Sequence, residues 1–140
     1  MQELITTYQT ALLALGVLSL AVVVQSFIAG LVKNGISGQP AGVDVTGDIS
    51  DRTFRIARTH LNSIENFSAL FAASVLAMMA GANAQWLTWL VLAAVGLRLI
   101  YWPIYYARFG KDGGGLRSFV HVFALVANMG IAALAIWALL

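Results

Sequence analysis

Between Arg52 and Asn66 the chain gathers Arg55, Arg58, His60, Asn62, Glu65 and Asn66, and then runs straight into a long apolar segment. A helix turns about 100° per residue, so Arg55, Arg58, Asn62, Glu65 and Asn66 share one stripe about 100° wide, while His60 falls on a different face. A second set repeats the spacing with other chemistry: Arg98, Tyr101, Tyr105 and Arg108 fall within about 80° of one another on a helix. In a third segment Arg117, His121 and Asn128 share a face, with Ser118 beside them. Together these side chains describe a basic, hydrogen-bonding pocket with apolar walls. Its natural ligand is an anionic, amphipathic molecule whose carboxylates arginine grips bidentately.

Plainer roles compete for some of these residues. Arg52, Arg108 and Lys111 sit where cations snorkel to headgroups, and Trp86, Trp89 and Trp137 where aromatic rings mark an interface. Glu65 lies inside an apolar stretch, where a carboxylate is costly unless paired; Arg58 and Asn62 are its partners on the same face. An ion pair there serves either ligand binding or the orientation of helices. Arg98, in mid-segment, needs a polar cavity or an acidic partner. His60 and His121 show no metal-ligand spacing, so no metal site is expected.

The elements that must carry these residues are membrane helices. Of 140 residues, 60% are hydrophobic and 10% charged, with mean hydropathy +0.83, whereas soluble domains carry about a quarter charged residues. Crossing about 30 Å of hydrocarbon takes about 20 helical residues. Four stretches suffice: about Leu4–Val32, Ile56–Ala80, Gln85–Ala107 and Arg117–Leu140. Backbone groups in lipid must bond internally, so the fold class is all-α, an integral membrane four-helix bundle forming a single domain over residues 1–140. The first connection, NGISGQPAGVDVTGDISD, reads as a flexible polar loop; GANA reads as a tight antiparallel turn; RFGKDGGGLR reads as a mobile basic loop.

All eight Lys and Arg residues fall at or near the two longer loops. The positive-inside rule then places those loops in the cytoplasm and both termini outside. MQELITTYQ lacks the basic region of a cleaved signal peptide, so the first span is expected to stay in the mature protein. The net charge of +2, with no basic tract, gives no reason to expect nucleic acid as a partner. With no cysteine, any sulfur chemistry must come from a substrate.

Arg55-x-x-Arg58-x-His60-x-Asn62-x-x-Glu65 at the start of the second of four spans resembles the signature of MAPEG proteins, the membrane-associated proteins of eicosanoid and glutathione metabolism. The loop order, the short second connection and the length resemble that family too. The resemblance implies a homotrimer of four-helix bundles with glutathione held between neighbouring subunits near the cytoplasmic side. It implies that Asn62 and Glu65 hold the polar ends of glutathione, that Arg58 braces them, and that Arg98, Tyr101 and Tyr105 face the tripeptide. Arg117 and Ser118 match a fourth-span Arg-Ser pair close to the glutathione sulfur, with Tyr105 as a further donor to it, and Lys33 falls near a basic residue supplied by a neighbouring subunit. His121, a further expected glutathione-binding residue, stands where the prostaglandin synthase branch has a tyrosine, and the third connection is longer than in that branch; the electrophile is left open.

The activity so implied is that of a membrane-bound glutathione transferase or peroxidase acting on hydrophobic electrophiles or lipid hydroperoxides, with glutathione as co-substrate. The alternatives are a non-catalytic lipid-binding protein or a small four-helix transporter subunit that uses Glu65. Asn66 and Asn128 would face lipid in a lone subunit, which favours self-association. The expected location is a bacterial inner membrane.

Overall fold

The computed structural model describes residues 2–40, 42–109 and 115–140. Lys111 and most of the glycine-rich third connection lie outside the described residues. The described chain is helical: α1 (Gln2–Thr7), α2 (Gln9–Gly30) continued by a π-helical segment (Leu31–Ile36), α3 (Arg52–Met79), α4 (Ala84–Tyr106) and α5 (Leu116–Leu139). Four of these stretches are long and apolar enough to cross a membrane: Gln9–Ile36, Arg52–Met79, Ala84–Tyr106 and Leu116–Leu139. The four-helix membrane bundle expected from hydropathy is the fold found.

The boundaries move for local reasons. The first span begins later than Leu4 because the helix breaks at Tyr8, whose buried side chain donates a hydroxyl hydrogen bond to the Ala82 carbonyl at 2.5 Å. That bond ties the N-terminal end to the turn joining α3 and α4. α3 begins at Arg52 rather than Ile56 because the Asp51 carboxylate accepts from Thr53 N and caps it. The GANA turn closes by a Schellman pair: Ala82 N donates to Ala77 O and Gly81 N to Met78 O, with Gly81 at φ 71°. Asn83 then caps α4, accepting from Gln85 N and Trp86 N.

α4 ends the same way, with Phe109 N on Ile104 O, Arg108 N on Tyr105 O, and Arg108 itself at φ 53°. Arg108 therefore leaves the helical phase shared by Arg98, Tyr101 and Tyr105, so the four-residue stripe expected there shortens to three. Arg55 fixes this end of the bundle. Its guanidinium donates to the carbonyls of Ile49, Ser50 and Tyr106, joining the end of the first long loop to the last turn of α4. In the same loop, hydrogen bonds from Ser50 hold the Asp48 carboxyl below the usual carboxylate range.

The core comes from small and branched residues at three- and four-residue spacing. On α2 the buried column is Ala11, Leu15, Leu18, Val22, Gln25 and Ala29. Its Ala11, Leu15, Leu18 and Val22 belong to one hydrophobic cluster with Leu87, Val91 and Ala94 of α4 and Ile131 and Ala135 of α5. The outward residues of α2 and α5, such as Leu13, Val17, Leu20, Phe123 and Ile136, are equally apolar, as a lipid-facing helix requires. Since lipid is no less apolar than the core, close packing and not amphipathicity joins these helices. Gly130 marks a close approach of α5 to α4: a Cβ there would stand 3.2 Å from a Leu90 methyl. Ile131 is completely buried, so Ile131→Ala should cost about 2–5 kcal/mol, read as a lower thermal midpoint in detergent. An unchanged midpoint would contradict the close packing of α5.

Candidate functional site

The antiparallel order of α3, α4 and α5 brings the start of α3, the end of α4 and the start of α5 to the end of the bundle that carries both longer loops. Arg98 lies eight residues before the end of α4, about 12 Å at the helical rise. It is 5% exposed, and its guanidinium donates to Asn62 Oδ1 of α3 at 2.5 Å. A buried cation demands such a partner, and Asn62 satisfies it without adding a charge.

From Arg98 a ladder of cations and rings climbs α4 and crosses to α5. The guanidinium lies 5.8 Å from the Tyr101 ring. The Tyr101 and Tyr105 rings stack at 5.7 Å with 12° between their planes, which their four-residue spacing on one helix permits. Arg117 of α5 sits 4.8 Å from the Tyr105 ring centre, a cation–π distance. His121, one turn further along α5, lies 5.7 Å from Tyr101.

Beyond Arg98 the ladder borders a cavity of about 360 Å³ lined by Arg58, Asn62, Tyr101, Tyr105, Arg117, Ser118, His121 and Val122. Arg58 also pairs with Glu65 at 3.8 Å, with both side chains about half exposed (49% and 58%). The cavity thus has cations on both sides, two phenols and an amide along its floor, and one carboxylate at its margin. Such a surface receives a ligand bearing carboxylates, and the half-exposed ion pair offers one group for an anion and one for a cation. Among the described residues no group of three or more metal-binding side chains occurs.

A family model described as the MAPEG family matches residues 6–137, nearly the whole chain. The chain belongs to the MAPEG family. It is therefore an integral membrane protein of the glutathione transferase and eicosanoid-metabolism family, a glutathione-associated group whose partners are lipophilic molecules and the membrane. No curated protein and no solved structure matches the chain.

Within this MAPEG bundle the structure brings together Arg58, Asn62, Tyr101, Tyr105, Arg117, Ser118 and His121. Three other expected site residues stand apart from the cavity wall. Arg98 is buried behind it, holding Asn62. Glu65 lies beside Arg58 at the margin. Lys33 is on the other side of α3, where its ammonium donates to the Val43 carbonyl. There it lines a second cavity of about 240 Å³ together with Ser26, Asp44, Ala57 and His60.

Asn66 and Asn128 are not the lipid-facing groups expected of them. Both are half-buried and turn inward, sharing a cavity of about 10 Å³ with Ser63 and Arg98, and Asn66 donates to the Asn62 carbonyl at 2.8 Å. They therefore give no reason of their own for a trimer.

Periodicity also missed a layer of polar contacts behind the site. Trp102 Nε1 donates to Ser63 Oγ at 2.9 Å, Ser63 Oγ to the Thr59 carbonyl, and Gln25 Nε2 to the Tyr106 hydroxyl. These brace α3 and α2 against the end of α4. The one signal available was Gln25 itself, an amide within an otherwise apolar span.

Proposed function

We propose that the protein is a membrane-bound glutathione transferase with peroxidase-type activity on hydrophobic electrophiles. The observation that carries this reading is the gathering of Arg58, Asn62, Tyr101, Tyr105, Arg117 and Ser118 around one cavity in a MAPEG chain. Arg58 and Glu65 grip the charged ends of glutathione, Asn62 binds its backbone, and Tyr101 packs along it. A free thiol ionises at about 8.5, and nearby cations and donors lower that value. Arg117 supplies the positive field at sulfur; Ser118 and Tyr105 supply hydrogen bonds. Phe119, Val122 and Phe123 are exposed on α5 and form the side from which a lipid-dissolved electrophile meets the thiolate, so proximity supplies much of the rate.

In the same reading the protein is a homotrimer, with Lys33 reaching the ligand from a neighbouring copy, and the loop-bearing end is cytoplasmic in a bacterial inner membrane. Native mass spectrometry in mild detergent, showing monomer or dimer only, would exclude the trimer. A reporter fused to Leu140 and found in the cytoplasm would reverse the topology.

Isothermal titration of the detergent-solubilised protein with glutathione tests the binding reading. Saturable heat is expected. Glu65→Gln should weaken it at least about tenfold at every pH, since a charge-assisted contact is worth about 1.5–3 kcal/mol. No heat with the wild type contradicts glutathione as the ligand.

A further inference from the structure

We propose that His121 is the hydrogen-bond donor that receives the negative charge on oxygen when the protein acts on oxygen-leaving electrophiles, namely hydroperoxides and epoxides. The role rests on the glutathione reading above and adds a catalytic residue to that site.

His121 lines the cavity beside Ser118 and Tyr101. Its Nδ1 is buried and has no hydrogen-bond partner among the described residues. That leaves Nε2 as the nitrogen able to reach the cavity. A neutral imidazole carries one N–H and one lone pair. A buried N–H without an acceptor is rarer than a buried acceptor without a donor, so the proton belongs on Nε2. His121 then offers the cavity a donor and not a base. It does not take the thiol proton; it stands ready for an oxyanion, as a neutral imidazole can.

With a hydroperoxide, the thiol first releases its proton to water. The thiolate attacks the terminal peroxide oxygen, an S–O bond forms, the O–O bond breaks, and the electron pair leaves on the alkyl oxygen. That alkoxide accepts a hydrogen bond from His121 Nε2–H and then a proton from water. A second glutathione thiol reduces the sulfenic acid to the disulfide, releasing water. With an epoxide, a C–S bond forms as the C–O bond breaks, and the same alkoxide develops. A benzylic chloride releases chloride, an anion that needs no such donor.

The test compares cumene hydroperoxide with 4-nitrobenzyl chloride on the detergent-solubilised wild type, His121→Phe and His121→Gln. Phe keeps the ring contact with Tyr101 but removes both nitrogens, while Gln restores a donor. Loss of one oxyanion donor costs about a hundredfold or more in turnover. His121→Phe should lose about that much more with the hydroperoxide than with the chloride, whose rate reports any effect of the change on glutathione itself; His121→Gln should recover most of that difference. An equal fall with both electrophiles, or none with either, overturns this role and leaves the transferase reading intact. A wild type that turns over neither electrophile overturns both.

Discussion

Leucine in place of Arg117 is expected to cut turnover of an aryl or benzyl halide at pH 7 by up to about thirtyfold, with recovery in alkali. The guanidinium lies over Tyr105 at the cavity wall, and it is the cation placed to favour the thiolate. Without it the bound thiol returns toward about 8.5, where about 3% is ionised at pH 7. The direction follows from the charge: losing a cation raises the thiol pKa, so thiolate is scarce below that value and abundant above it. Activity should therefore approach wild type near pH 9 or above. Ser118→Ala should lose less, because a neutral hydrogen bond is worth about 0.5–1.5 kcal/mol against about 1.5–3 for a charged one. A loss in Arg117→Leu that is the same at every pH would mean that Arg117 binds or packs without acting on sulfur.

The second large effect is expected at Asn62. Its side-chain oxygen accepts from the buried Arg98 guanidinium and its backbone carbonyl from Asn66, while the residue itself lines the cavity. Asn62→Leu strips the acceptor from a cation that is 5% exposed. Losing the acceptor of a buried charged donor costs about 1.5–3 kcal/mol, so the thermal midpoint and glutathione affinity should fall together. Asn62→Asp keeps an acceptor in place and should retain most of the stability. Equal stability in Asn62→Leu would show that Arg98 does not depend on this bond.

The helical phase of Arg58, Asn62, Tyr101 and Tyr105 made most of the cavity legible in the sequence, because those residues lie inside helices whose antiparallel order the short GANA turn dictates. Arg117, Ser118 and His121 were legible as site residues for the same reason, one helix later. What phase alone does not carry is which partner a side chain meets. Arg55 shares a stripe with Arg58, yet two backbone carbonyls of the first long loop and one at the end of α4 engage it. Arg108 fits the α4 stripe by spacing, but the helix ends two residues before it and the backbone turns left-handed. Asn66 and Asn128 look costly in lipid until neighbouring helices enclose them. Lys33 depends on how the π-helical segment and the first loop fold against α3, and no local pattern states that.

The central claim, that this cavity binds glutathione and ionises it, is tested most directly by ultraviolet difference absorbance on adding glutathione to the purified protein at pH 7. Thiolate absorbs at about 240 nm and thiol does not. A saturable rise is expected there in the wild type, and its loss in Arg117→Leu at the same pH. Saturable glutathione binding without any rise would contradict the claim, leaving a protein that holds the tripeptide without activating it.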